Sequence, residues 1–246
     1  MDVLQKFLNN KKQGKKSFAV LLDPDKLDSQ KCREVAEAGE TAGIDYFFIG
    51  GSLITKQNFN TIVHTVKAHS SVPIVIFPGS NLQIDSKADA ILLLSLISGR
   101  NPDFLIGQHV IAAPLLKESN LEILPTGYIL VDCGKPTTVS YISNTTPIPF
   151  DKPSVAACTA LAGQMLGMKL MYLDGGSGAM YSISPEMISM VEKTVDVPLI
   201  VGGGINTIEK AQAALQAGAD TIVIGNAIES DVNFLNEISL LVKGMN

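Results

Sequence analysis

Eight short apolar runs, each of the length of a β-strand, recur along this chain and alternate with polar or helix-like segments. The runs read FAVLLD, DYFFIG, PIVIFP, AILLLSL, GYILVD, LMYLD, PLIVGG and TIVIG. The helix-like segments read SQKCREVAEAGETAG, KQNFNTIVHTVKAHS, PSVAACTALAGQMLG, SPEMISMVEKTV and NTIEKAQAALQAG. Apolar strands that alternate with amphipathic helices are typical of a parallel sheet covered by helices. Eight such units in 246 residues predict an α/β fold, a single-domain (β/α)8 TIM barrel over residues 1–246.

Composition and charge exclude several other classes of protein. Hydrophobic residues make up 46% of the chain, which is ample for a core, and the formal net charge of −5 argues against nucleic-acid binding. The longest uncharged apolar run, AILLLSLI, is too short to cross a bilayer, and the N-terminus lacks the apolar core of a signal peptide. We therefore expect a cytoplasmic protein without a transmembrane segment, in which residues 1–16 form a basic N-terminal helix or a solvated tail.

The cysteines and histidines do not form a recognisable ligand pattern. The cysteines are Cys32, Cys133 and Cys158, and the histidines are His64, His69 and His109. Because the cysteines are scattered and odd in number, we expect small buried or half-buried side chains rather than a disulfide framework or a zinc site. The histidines fall on predicted helices away from the strand ends, so we expect them to be structural or exposed.

Polar or glycine-rich residues follow five of the strands at their C-terminal ends, where TIM-barrel enzymes build their active sites. The segments are 23–26 (DPDK), 50–52 (GGS), 174–178 (DGGSG), 202–206 (GGGIN) and 225–226 (GN). The loops after the seventh and eighth strands often bind phosphate in this fold, through backbone N–H groups and a helix N-terminus. We therefore expect a phosphate at Gly203, Gly204, Gly225 and Asn226. The alternative is a pair of tight turns that need glycine for steric reasons.

The ordered set LLDPDK, FIGGS, YLDGGSGA, VGGGI and VIGN resembles the geranylgeranylglyceryl phosphate synthase family over nearly the whole chain. These are barrel prenyltransferases that join a polyprenyl diphosphate to sn-glycerol 1-phosphate with Mg²⁺. The segment SGRNPDFLIGQHV is similar to the family's segment after the fourth strand and indicates the long-chain subgroup, which includes heptaprenylglyceryl phosphate synthases. The resemblance implies an ether-linked prenylglyceryl phosphate as product, with geranylgeranyl as the expected prenyl group, and a homodimer or a larger homo-oligomer.

The resemblance implies a metal site on the donor side of the barrel. Asp23 stands in the family's Mg²⁺ position, and Ser52 stands where a Ser or Thr hydroxyl completes that site. Two protein ligands suffice, because Mg²⁺ commonly keeps waters and takes other ligands from substrate phosphates. The alternatives are a turn carboxylate for Asp23 and a helix cap for Ser52.

The glycerol-phosphate segment of the family matches the loop after the sixth strand. The matching residues are Tyr172, Leu173, Asp174, Gly175, Gly176, Ser177 and Gly178. The resemblance implies that Asp174 binds acceptor hydroxyls and is catalytic, either as a general base or by positioning alone. This chain departs from the family, which usually has Glu at the place of Asp174 and Ala at the place of Gly175. Some members also carry a Lys near the position of Leu21, for which Lys26 is a candidate substitute.

The prenyl donor is less clearly encoded than the acceptor. Candidates for an apolar groove are Phe77, Leu94, Ile97 and Phe104, all of which can equally be core residues. The segment 77–81 (FPGSN) is expected to border the diphosphate at the end of the third strand.

Two other functions remain open at this stage. A phosphate-binding barrel isomerase or lyase acting on a sugar-phosphate-like substrate would place proton-moving groups at strand ends, and Asp132 and Lys135 are the pair that could serve. A non-catalytic phosphate-binding barrel is the third interpretation. Release of diphosphate from a prenyl donor would exclude both.

Overall fold

The computed structural model describes residues 2–246, apart from the side chains of residues 229 and 230. Eight parallel strands close into a barrel in chain order, which confirms the predicted fold class. The strands are β1 Ser17–Leu22, β2 Tyr46–Gly51, β3 Ile74–Pro78, β4 Ala90–Leu96, β5 Glu122–Leu130, β6 Leu170–Asp174, β7 Leu199–Gly202 and β8 Thr221–Ile224. The helices are α1 Val3–Lys12, α2 Ser29–Ala42, α3 Phe59–His69, α4 Gln108–Glu118, α5 Thr138–Ser143, α6 Pro153–Met165, α7 Pro185–Glu192, α8 Ile208–Gln216, α9 Asn226–Ser230 and α10 Phe234–Met245, and a π-helical turn, Asp103–Gly107, precedes α4.

Apolar side chains form two cores, one inside the barrel and one between the barrel and the helices. Successive side chains of a strand point to opposite faces, so each strand contributes to both cores. On β6, Leu170 and Tyr172 pack inside the barrel, whereas Leu173 packs against the helices. This alternation aims Asp174, the last residue of β6, at the C-terminal mouth of the barrel.

Within the N-terminal segment 1–16, residues Val3–Lys12 form the packed helix α1, as the first alternative predicted. The solvated-tail alternative is therefore wrong for these residues. Residue 1 lies outside the described residues. Val3 and Phe7 are one helical turn apart and both are buried. The Phe7 ring stacks on Tyr46 of β2 with centroids 4.2 Å apart. The Glu122 carboxylate accepts a hydrogen bond from the Val3 N–H at 2.6 Å. Helix α1 therefore closes the N-terminal end of the barrel.

The connection from β3 to β4 differs from the expected pattern of eight strand–helix units. Residues 79–89 form no helix, whereas each of the other strands within residues 2–246 is followed by one. The outward-facing side chains of β4, among them Leu93, therefore face this loop on one side and α4 on the other. The space beside them becomes part of the apolar groove described below.

Among the described residues, the cysteines and histidines do not belong to any group of side chains that could hold a metal ion. Cys32 and Cys133 are buried as expected, but Cys158 is exposed because α6 turns its alanines, not this side, toward the barrel. His64 and His69 lie on α3 and face Asp85 and Glu37 at 3.0 and 3.3 Å, respectively. His109 on α4 contacts the Leu94 carbonyl oxygen at 2.8 Å and lines the apolar groove described below. No helix in the described part of the chain has both the length and the apolar character needed to span a bilayer.

Candidate active site

A polar cavity opens at the C-terminal mouth of the barrel, between the loops that follow β1, β2, β6, β7 and β8. Most of the residues predicted from the sequence line it together: Asp23, Ser52, Tyr172, Asp174, Gly176, Ser177, Gly178, Gly203, Gly204, Gly225 and Asn226. Leu21 and Lys26 also line it. Leu173 and Gly175 do not, since Leu173 belongs to the outer core and Gly175 packs against Cys133. The binding role of each residue stays a prediction.

Asp174 is a buried carboxylate whose two oxygens both accept hydrogen bonds. The Tyr128 hydroxyl donates to Oδ2, and the Gly176 N–H donates to Oδ1 at 2.8 Å. Burial raises the pKa of Asp174 above its ordinary value, and the hydrogen bonds from Tyr128 and Gly176 offset part of that rise. A carboxylate with a raised pKa accepts a proton more readily, which suits the general-base role, and the two hydrogen bonds that fix its oxygens suit positioning.

The glycines after β7 are required by the packing of the protein itself. Gly203 has φ +83°, and a Cβ there would lie 2.6 Å from the Gly175 nitrogen. Gly204 has φ +71°, and a Cβ there would overlap the Tyr181 backbone, 2.8 Å from its carbonyl carbon. The space beside Gly204 therefore belongs to the loop after β6 and not to a ligand. Gly225 is different, because a Cβ there would make only ordinary contact with Leu21, at 3.5 Å.

Asp23, Lys26 and Asn226 form a polar group across the cavity from Asp174. The Lys26 ammonium lies 3.4 Å from Asp23 Oδ2 and donates to Asn226 Oδ1 at 2.6 Å. It therefore joins the loop after β1 to the start of α9, beside the predicted phosphate position. An ammonium at this place is suited to an anionic ligand, which supports Lys26 as the substitute for the Lys that some members carry near Leu21.

Two further residues, Asp25 and Gln83, hold the loops of the donor side together. The Asp25 carboxylate accepts hydrogen bonds from the Thr55 N–H and the Lys56 N–H at 2.8 and 2.9 Å. The buried Gln83 accepts from the Gly79 N–H at 3.0 Å and donates to the Gly51 carbonyl oxygen at 3.3 Å. Sequence reasoning placed Asp25 only in the polar segment 23–26 and missed Gln83 altogether, because the loops that these side chains join are distant in sequence.

The oxygen atoms around Asp23 are the candidate ligands for a divalent cation. The Asp23 carboxylate is 23% exposed and lines the cavity with Ser52, and Oδ1 already accepts from the Asp25 N–H at 3.0 Å. No cluster of three or more acidic, His or Cys side chains occurs in the described residues. One carboxylate and one hydroxyl fit Mg²⁺ only if substrate phosphates and waters supply the other ligands, which is common for this ion.

An apolar groove adjoins the polar cavity, and Gly51, Ser52 and Phe77 line both. The groove runs between the loop 79–89, side chains from both faces of β4 and the inner face of α4. Of the sequence candidates, Phe77, Leu94 and Phe104 line it, as does all of 77–81. Ile97 does not, because it packs against the outer core. The groove therefore leads from the protein surface to the candidate metal position.

The residues that would support an isomerase or lyase lie at the edge of the polar cavity and not in its lining. Asp132 and Lys135 are both exposed on the loop after β5, and Asp132 accepts from the Gly134 N–H at 3.1 Å. Of these two, neither lines the polar cavity that contains Asp174 and Gly204. The Lys135 ammonium nevertheless lies beside the lining residue Gly178, where a Cβ would come within 3.7 Å of Lys135 Nζ. The isomerase or lyase alternative is therefore decided by the products of the reaction and not by this geometry.

The closed parallel barrel with glycine-rich loops at its C-terminal mouth defines the class as a TIM barrel, and loops of this kind are typical of TIM-barrel enzymes that bind phosphate. A model of the PcrB family matches residues 10–244, and the chain belongs to this family. A geranylgeranylglyceryl phosphate synthase of Spirosoma linguale is 58% identical over 96% of this chain and 95% of its own length. One of Thermococcus kodakarensis is 42% identical over 92% and 89%, respectively. The fold is also similar to a crystal structure of (S)-3-O-geranylgeranylglyceryl phosphate synthase from Thermoplasma acidophilum in complex with its substrate sn-glycerol-1-phosphate. The two chains superimpose with a TM-score of 0.92 at 36% sequence identity, and the match covers 100% of this chain and 98% of that chain.

Gly175 and Cys133 form a contact pair at one of the positions where this chain departs from the family pattern. A Cβ at Gly175 would lie 3.0 Å from Cys133 Sγ, so Gly175→Ala is expected to lower stability by about 1–2 kcal/mol through overpacking. The penalty is expected to be smaller in a Cys133→Ala background, where the sulfur is absent. Denaturant unfolding of the four combinations measures this coupling; equal penalties in both backgrounds would show that Cys133 is not the constraint.

Asp174→Asn is expected to raise the melting temperature near neutral pH while it lowers activity. Because the pKa of Asp174 is raised in the folded state, its stabilising contribution is present below the unfolded-state pKa and is lost as pH rises through the folded-state value. The amide carries no charge and so avoids the cost of burying one, and the gain in melting temperature over wild type should shrink as pH falls. Each kcal/mol of stability recovered should raise the melting temperature by about 2–4 °C. Calorimetry at several pH values tests this, with the exposed Asp151→Asn as the control. A melting temperature at neutral pH that does not rise would contradict it.

Proposed function

We propose that this prenyltransferase forms the ether bond between sn-glycerol 1-phosphate and a polyprenyl diphosphate, with geranylgeranyl diphosphate as the expected donor. The observation that carries this proposal is the junction of a polar cavity and an apolar groove at Ser52 and Phe77. A small phosphorylated acceptor and a long isoprenoid donor need these two environments side by side. The relatives named geranylgeranylglyceryl phosphate synthase support the same substrates.

The acceptor is held, in this proposal, by the loops after β6, β7 and β8. Backbone N–H groups near Gly203, Gly204 and Asn226, together with the Lys26 ammonium, bind its phosphate. Asp174 accepts a hydrogen bond from a glycerol hydroxyl and orients it toward the groove. As the hydroxyl oxygen bonds to carbon 1 of the donor, the carbon–oxygen bond to diphosphate breaks, and the hydroxyl proton passes to Asp174 or to solvent.

The donor lies with its prenyl chain in the apolar groove and its diphosphate near Asp23 and Ser52. These two residues would hold Mg²⁺, which would neutralise the charge that develops on the departing diphosphate. Gln83 and Asp25 keep the surrounding loops in register through the hydrogen bonds described above. The groove walls exclude water from the cationic carbon, which favours transfer to the glycerol hydroxyl over hydrolysis.

We also propose that the protein works in the cytoplasm as a homodimer or a larger homo-oligomer. Several apolar side chains of the π-helical turn and α4 are exposed in the single chain: Ile106, Val110, Ile111 and Leu115. A face of this kind is commonly covered by a partner, and a second copy of the chain would cover it. Sedimentation equilibrium tests this proposal; a monomer at micromolar concentration would contradict it.

The proposed reaction is tested by incubating purified protein with Mg²⁺, radiolabelled glycerol phosphate and prenyl diphosphates of graded length. We expect a labelled product that extracts into organic solvent with sn-glycerol 1-phosphate, and much less with sn-glycerol 3-phosphate, since the site fixes the acceptor at several points. The donor length that gives the highest kcat/KM identifies the natural substrate. No labelled lipid with any donor would overturn the proposal and would revive the isomerase, lyase or non-catalytic alternatives.

A further inference from the structure

Tyr128 on β5 lies between the apolar groove and the polar cavity and takes part in both. Its ring lines the groove, while its hydroxyl donates a hydrogen bond to Asp174 Oδ2 in the cavity. Tyr128 and Asp174 are only 5% and 6% exposed, so water competes little for this hydrogen bond. The strand register brings them together, because Tyr128 and Tyr172 are neighbours across β5 and β6 and Asp174 is the next inward residue on β6.

We propose that Tyr128 is a positioning residue for the acceptor reaction: its hydroxyl holds the Asp174 carboxylate in one orientation and favours its charged form. This inference rests on the proposed prenyl transfer for its kinetic consequence, but the hydrogen bond can be tested without turnover. Where the family usually has Glu, the shorter Asp174 is fixed at both oxygens, by Tyr128 and by the Gly176 N–H. The hydroxyl therefore fixes where this shorter carboxylate presents itself to the acceptor.

The Tyr128 ring is itself held in place by aromatic neighbours. Its centroid lies 5.5 Å from that of Tyr172, with the two rings perpendicular, and 6.1 Å from that of Phe77. The perpendicular contact with Tyr172 and the tilted contact with Phe77 restrict the ring, and the hydroxyl has little freedom to leave the carboxylate. Burial, together with the charge of Asp174, raises the pKa of Tyr128 well above its ordinary value, so the hydroxyl remains a donor throughout the working pH range.

Tyr172 and Cys133, which lie beside Asp174, do not titrate in the acidic range. Burial, followed by the charge of Asp174, raises the pKa of Tyr172, and the same two causes with Asp132 raise the pKa of Cys133 to about 12. Asp23 and Lys26 lie across the cavity. An Asp174→Asn variant distinguishes a titration of Asp174 from one of Asp23. Loss of the Tyr128 hydrogen bond should raise the pKa of Asp174 further, because this bond favours the charged form.

The inference is tested first in protein without substrate, by carbon-13 NMR titration of aspartate carboxyl groups. The Asp174 signal is identified by its absence in Asp174→Asn. We expect its titration midpoint to move to higher pH in Tyr128→Phe. Tyr46→Phe is the matched control, because the buried Tyr46 hydroxyl makes no hydrogen bond within the described residues, and its removal should leave the midpoint unchanged. An unchanged midpoint in Tyr128→Phe would overturn the inference.

Kinetics provide the second measurement. In Tyr128→Phe we expect kcat/KM for the acceptor to fall about tenfold to a hundredfold, the range for a lost hydrogen bond to a charged group, with its acidic limb shifted to higher pH. Adding Tyr128→Phe to Asp174→Asn should cause little further loss, since the hydroxyl acts through the carboxylate. A pH-independent loss, or a failure of Tyr128→Phe to fold, would show that the hydroxyl supports the barrel instead. If wild type itself shows no turnover, the proposed function fails while the NMR result stands.

Discussion

Asp23→Asn is expected to lower kcat by about a hundredfold to a thousandfold, the range for the loss of one group that stabilises developing charge. The amide preserves the shape of the side chain. Its oxygen can still accept a hydrogen bond from the Asp25 N–H, which in wild type donates to Asp23 Oδ1 at 3.0 Å. It removes the charge that makes a carboxylate a good ligand for Mg²⁺. The loss should therefore appear in turnover, not in folding.

Acceptor binding should survive this substitution. Glycerol phosphate is assigned to the loops after β6, β7 and β8, whereas Asp23 lies on the loop after β1. Calorimetric titration should give an acceptor Kd close to that of wild type, and the concentration of Mg²⁺ that gives half-maximal rate should rise. Asp151→Asn is the control. Like Asp23, Asp151 is a carboxylate paired with a lysine, but it is exposed and lies outside the cavity. Retained turnover in Asp23→Asn would show that Asp23 does not hold the metal.

Gly204→Ala is expected to weaken acceptor binding about tenfold to a hundredfold, which corresponds to one lost charge-assisted hydrogen bond of about 1.5–3 kcal/mol. The added methyl group overlaps the Tyr181 backbone, so the loop after β7 must move. Its N–H groups then no longer point at the phosphate. The methyl group does not enter the ligand space, so the effect on binding is indirect.

The matched control for this substitution is Gly43→Ala. Gly43 has φ +73°, against +71° for Gly204, but a Cβ there meets nothing within 4 Å. Both variants therefore carry the same backbone strain, about 1–2 kcal/mol, and only Gly204→Ala adds the overlap. We expect unchanged acceptor affinity in Gly43→Ala, and little change in donor affinity in either variant. Equal acceptor affinity in both would mean that the phosphate lies away from the loop after β7.

The barrel and the composition of its mouth were predictable from the sequence because both depend on local patterns. Strand-length apolar runs fix the strands, and residues that directly follow a parallel strand meet at one end of the barrel. Asp23, Asp174 and Gly204 were found in this way. The sequence could not show that Gly203 and Gly204 face the backbone of the neighbouring loop, since that depends on the packing of loops that are distant in sequence.

The features that sequence reasoning missed all depend on contacts across the fold. Tyr128 reads as an ordinary strand tyrosine until β5 and β6 are paired in register. Gln83 lies in a loop, and its partners, Gly51 and Gly79, are on two different strand ends. The missing helix between β3 and β4 was hidden by the regular spacing of the strands around it. A polar residue at an inward position of a barrel strand is the one signal that would have pointed to Tyr128.

The most direct test of the central claim is the stoichiometry of the products. Purified protein is incubated with doubly labelled substrates, sn-glycerol 1-phosphate and geranylgeranyl diphosphate, and both the extracted lipid and the released diphosphate are counted over time. Prenyl transfer requires one diphosphate for each ether lipid, and both rates should fall together in Asp23→Asn. Diphosphate released without labelled lipid would show hydrolysis, and neither product with any donor would show that this barrel does not transfer prenyl groups.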